Sequence, residues 1–106
     1  MAAGPTGIYV VGYAGGDAFI RKYDGDGNLV WTRQFGTAGY DVALGVATHA
    51  NSVYVMGSTD GTFHGQTSGG SLDAFVRNYD SDGNEVWTKQ FGGAEPDGFL
   101  VKITAR

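Results

Sequence analysis

The chain has 106 residues, of which 42% are hydrophobic, 13% aromatic and 17% charged, a domain-sized composition too apolar for a disordered segment. Nineteen Gly against two Pro point to short strands joined by tight turns rather than to helices. A net charge of −4 with no cluster of Lys or Arg disfavours nucleic acid as a partner, and the lack of Cys excludes disulfides, thiolate metal centres and Cys nucleophiles.

Residues 1–7 have neither a basic head nor an apolar core, so no signal peptide is expected there. No apolar run of about 18 residues occurs, so no membrane span is expected either. Ile8–Gly12 (IYVVG) is an apolar run suited to a strand covered on both faces. Asp17–Asp24 is the next strand, and Asp24-Gly25-Asp26-Gly27-Asn28 is a hairpin turn. Leu29–Phe35 is its partner, with Leu29, Trp31, Arg33 and Phe35 on one face. Asp41–Thr48 is a strand of small residues. Val53–Gly57 (VYVMG) then repeats Ile8–Gly12 at an offset of 45.

Residues 73–93 (DAFVRNYDSDGNEVWTKQFGG) repeat residues 17–37 (DAFIRKYDGDGNLVWTRQFGT) at an offset of 56, with 15 of 21 positions identical. The two offsets differ by 11, which is an insertion within Ser58–Leu72. Near-identity of this kind fits recent duplication and engineering equally. A single hairpin cannot bury its own faces, so the copies are expected to pack on one another.

Named A to D, the middle of the chain supplies a whole four-stranded unit: A at 41–48, B at 53–57, C at 73–80 and D at 84–91. The N-terminal part supplies B, C and D within 8–35, with the A position vacant. The tail supplies one closing strand at 97–104, which aligns with strand A at the offset of 56 and also resembles strand C. The expected fold class is all-β: a single unit of two β-propeller blades, each of four antiparallel strands. Ala43, Gly45 and Ala47 suit a crowded innermost strand.

The pattern DAFxRxYDxDGNxVWTxQFG, followed by DxAxGVAT and VYVxG, closely resembles the bacterial β-propeller repeats known as SBBP repeats. The resemblance covers nearly all of the chain after residue 7. It implies a propeller fold, often in cell-surface or secreted bacterial proteins, and no general enzymatic activity, so no catalytic residues carry over. Two blades are too few to close a ring. The expectation is therefore a homo-oligomer closed by strand exchange, trimer favoured over tetramer, with Phe99, Val101 and Ile103 covering a neighbouring copy.

Asp24, Asp26 and Asn28, and Asp80, Asp82 and Asn84, space oxygens like the start of a calcium loop. Gly27 and Gly83 are fourth rather than sixth, and the twelfth positions are Phe35 and Phe91, so an Asx-rich hairpin is the reading and no metal or cofactor is expected. Trp31 and Trp87 are expected to pack between blades rather than to stack on a ligand. The inserted loop places Asp60, Phe63 and His64 at the same end as Tyr40 and Asp41, with Glu95 and Asp97, a candidate site for a polar ligand. His49 falls at the opposite end. No GxSxG or HExxH motif occurs, so no enzyme is expected. The function expected is a self-assembling scaffold or binding module; the alternative is a lectin-like propeller, and the partners would be the chain itself, carbohydrate or another protein.

Overall fold

In a computed structural model, residues 2–4, 7–63, 66 and 73–91 are described. The fold is all-β, and the described residues form two four-stranded antiparallel sheets. The first is β1 (Ala2–Gly4), β2 (Gly7–Ala14), β3 (Asp17–Tyr23) and β4 (Leu29–Phe35), in that order. The second is β5 (Asp41–His49), β6 (Ser52–Thr59), β7 (Asp73–Asp80) and β8 (Glu85–Phe91), again in that order. The expected closing strand at 97–104, with Phe99, Val101 and Ile103, lies outside the described residues.

One expectation is corrected. The position beside β2 is not vacant, because Ala2–Gly4 pairs with it from Ala2↔Tyr9 to Gly4↔Gly7. Three residues reach less than half of β2, whereas β5 pairs with β6 from Asp41↔Thr59 to His49↔Ser52.

The duplicated hairpins fold alike because their turns carry the same chemistry. The Asp24 carboxylate accepts from the backbone N–H of Asp26 and of Asn28, each at 2.9 Å, and from the Asn28 amide at 3.2 Å. Asp80 does the same with Asp82, Asn84 and the Asn84 amide at 2.9, 2.9 and 3.1 Å. Gly27 and Gly83 each hold φ at 86°, a left-handed conformation that other residues adopt at a cost. A register shift falls at Lys22/Tyr23 and again at Asn78/Tyr79. In β5 the ladder shifts between Ala43 and Gly45, and Leu44 is left exposed.

Cross-strand register assigns the faces. Tyr9, Lys22 and Trp31 are opposite one another across β2, β3 and β4, followed by Val11, Ile20 and Arg33, and then Tyr13, Ala18 and Phe35. This face of the first sheet packs on the second sheet. The face it meets carries Val53, Val55, Phe75, Arg77 and Tyr79. Tyr9, Ile20, Val55 and Phe75 are fully buried there, so the core is the layer between the sheets rather than the interior of either. At roughly 1.5–3 kcal/mol per buried large apolar side chain, this layer is the main source of stability.

Candidate functional site

The boundary between the sheets is both apolar and hydrogen-bonded. The Trp31 ring lies between Tyr9 and Tyr79, with both ring centroids at 6.1 Å. Its indole N–H donates to the Ser81 carbonyl at 3.1 Å, Lys22 Nζ to the same oxygen at 3.0 Å, and Arg33 Nε to the Gly83 carbonyl at 2.8 Å. The first sheet thus grips the turn of the second. Trp31 takes the inter-sheet role expected of it. Phe35 meets Phe75 edge-on at 5.7 Å, and the Arg77 guanidinium lies 4.4 Å above the Phe35 ring. Burial pushes the Tyr79 phenol above its ordinary value of 10.0.

The loop end gathers some of the expected ligand residues and removes others. Tyr40 and Asp60 meet: Asp60 N–H donates to the Tyr40 carbonyl at 3.1 Å, and Tyr40 N–H to the Asp60 carboxylate. The Tyr40 ring is 75% exposed. Asp41 lies next to them in sequence but is buried. Its carboxylate accepts from Thr37 N–H at 2.7 Å, from the Thr37 hydroxyl at 3.0 Å and from the Thr59 hydroxyl. That oxygen set ties the β4–β5 connection to the end of β6, so Asp41 is a structural residue at this position.

Phe63 faces the core rather than solvent. It is 3% exposed and packs on Phe75 at 5.1 Å and Phe35 at 6.2 Å. The cause is Gln90, whose side-chain oxygen accepts from Phe63 N–H at 2.8 Å while its amide donates to the Gly61 carbonyl and to Asp73, each at 2.8 Å. The start of the inserted loop is strapped to β8. His64, Glu95 and Asp97 lie outside the described residues.

The Asx-rich turns use their carboxylates on their own backbone. Hydrogen bonds from Asn28 and Asn84 hold the Asp24 and Asp80 carboxyls below the ordinary 3.8. No group of three or more His, Asp or Glu placed to hold a metal occurs among the described residues. No helix among them is long and apolar enough to cross a membrane.

Among the described residues, one face of each sheet meets no other strand. On the second sheet Trp87 is 38% exposed and Phe91 53% exposed, although they correspond to Trp31 and to Phe35, which is 8% exposed. On the first sheet Arg21 is exposed and Phe19 and Tyr23 are half-buried, although they correspond to Arg77, Phe75 and Tyr79 of the inter-sheet layer. Of the two tryptophans expected to pack between blades, only Trp31 lies between the sheets. The sequence did not mark the turn carbonyls of Ser81 and Gly83 as acceptors, because a carbonyl carries no residue signature.

No family model matches the chain. It is similar to the "Regulatory protein FlaEY" of Caulobacter vibrioides (strain ATCC 19089 / CIP 103742 / CB 15), 33% identical over 89 residues that cover 76% of this chain. The match spans about 9% of the length of that relative.

Proposed function

We propose that the chain is a two-blade building unit of a β-propeller, completed by further copies of itself, and that it serves as a non-enzymatic scaffold or binding module. The observation that carries this reading is the passage from β4 to β5. After the last strand of one sheet, the chain enters the next sheet as its first strand, and both sheets repeat one strand order. On this reading the place beside β2, held in part by Ala2–Gly4, is the one that the closing strand expected at 97–104 would fill from a neighbouring copy. Two blades per chain permit only even totals, six from a trimer or eight from a tetramer, and the trimer is favoured. The SBBP resemblance supports a bacterial cell-surface or secreted setting.

A second reading is favoured by the loop end, where Tyr40 is exposed and its backbone N–H donates to the Asp60 carboxylate. An exposed aromatic residue at a loop end that also carries a carboxylate suits a carbohydrate, and this reading predicts glycan-array binding that Tyr40→Ala abolishes.

Light scattering tests the assembly. The intact chain should show three or four times its 11.1 kDa mass. Removal of residues 97–106 should give aggregated or unfolded protein. A stable monomer from the intact chain would overturn the reading.

A further inference from the structure

Resting on the assembly reading above, we propose that the two uncovered sheet faces are the two halves of one interface, and that their occupant is a second copy of this chain docked head to tail. The template is the inter-sheet layer already inside the molecule. Its first half is the Trp31 face of the first sheet. Its second half is the Phe75–Arg77–Tyr79 face of the second sheet with the turn that ends in Gly83. The chain carries both halves again, facing solvent.

The residues match in chemistry as well as in position. On the uncovered face of the second sheet, Trp87, Lys89 and Phe91 repeat Trp31, Arg33 and Phe35, and Trp87 keeps its tyrosine, with Tyr54 at 6.2 Å as Tyr9 is to Trp31 at 6.1 Å. On the uncovered face of the first sheet, Phe19, Arg21 and Tyr23 repeat Phe75, Arg77 and Tyr79 without a change. The acceptor turn is also doubled. A Cβ at Gly83 would meet Arg33 and Trp31, whereas Gly27, with the same φ of 86°, has open space within 4 Å. The docked copy fills that space with its Trp87 and Lys89. The Trp87 indole then donates to the Gly25 carbonyl, and Lys89 to that of Gly27.

A further observation falls on the same face. Asn78 stands at the position of Lys22, which reaches across to Ser81. Its side chain is 6% exposed. The group that Lys22 meets is a backbone carbonyl, and the equivalent Gly25 carbonyl of a docked copy is an acceptor for the Asn78 amide N–H. The two faces are unlike each other, so the contact is heterologous and propagates until the ring closes.

The test uses two variants of the whole chain: Trp87→Ala with Lys89→Glu on one face, and Tyr23→Glu on the other. Each should fall from the ring mass to 11.1 kDa, a three- or fourfold loss, with the strand signal in circular dichroism unchanged. Mixed in equal amounts, they should form one species of twice the chain mass, because each supplies the face the other lacks. A variant that merely failed to fold could not give that dimer. Rings that persist in both variants overturn the interface and leave the assembly standing. The absence of a mixed dimer also overturns it. A monomeric unaltered chain overturns the assembly and the interface together.

Discussion

The indole N–H of Trp31 donates to the backbone carbonyl of Ser81, 50 residues along the chain and in the other sheet, at 3.1 Å. The bond couples the two copies of the repeat, since Trp31 belongs to the first and Ser81 to the second. It predicts that Trp31→Phe, which keeps an aromatic ring, costs about 1 kcal/mol for the lost hydrogen bond. Trp31→Ala should cost about 3–5 kcal/mol. Urea unfolding of the two variants checks the ratio, and a Trp31→Phe variant as stable as the parent would show that the bond contributes nothing.

Gln34 and Gln90 are the same residue at the same place in the two copies, yet their surroundings differ. Gln90 is buried and bonds to Phe63, Gly61 and Asp73, whereas Gln34 is exposed with one long bond of 3.4 Å to the Ala14 carbonyl. Gln90→Ala should therefore cost about 2–4 kcal/mol, because it leaves buried backbone groups unpaired, while Gln34→Ala should lie within about 0.5 kcal/mol of the parent. Thermal unfolding of the pair decides this, and matching losses would mean that the loop is not held by Gln90.

The Asp24 and Asp80 carboxyls set an acid limit. Hydrogen bonds from Asn28 and Asn84 lower their folded values, so the folded chain holds these protons less tightly than the unfolded chain. Their stabilisation is present above the unfolded value of about 3.9 and is lost as pH falls through the lower folded value. Both groups are exposed, so the effect is modest. The slope of urea midpoint against pH below about pH 4 should flatten in the Asp24→Asn, Asp80→Asn double variant. An unchanged slope would remove these turns from the account of acid unfolding.

Much of the fold was legible because the chain writes it twice. The bounds of β4 and β7 follow from alternation and from the Asp-Gly turns, and the tryptophan face follows from the spacing of Trp31, Arg33 and Phe35. Ala2–Gly4 was not legible, since three small residues show no alternation. Nor was the burial of Phe63, because the inserted loop has no counterpart in the first copy to compare with, and its fate depends on Gln90 from a distant strand. Asp41 resembles a ligand residue in sequence and becomes structural only through the hydroxyls of Thr37 and Thr59. The sequence also could not distinguish Trp31 from Trp87: the residues are identical, and only the stacking of the two sheets covers one and bares the other.

Ala50 holds φ at 52° in the two-residue turn between β5 and β6, a conformation that costs a residue with a Cβ about 1–2 kcal/mol. Ala50→Gly should thus raise stability by up to about 1 kcal/mol, the entropy of the unfolded glycine offsetting part of the relief. A lower melting temperature in this variant would contradict the strain.

In the proposed assembly, one sheet-to-sheet contact is made once inside the chain and again between chains until a ring closes. Electron microscopy of the assembled protein counts the sheets around the axis. Closed rings with an even number of blades are expected, six in the favoured trimer or eight in the tetramer. Seven blades, an open filament or isolated pairs of sheets would contradict the proposed assembly.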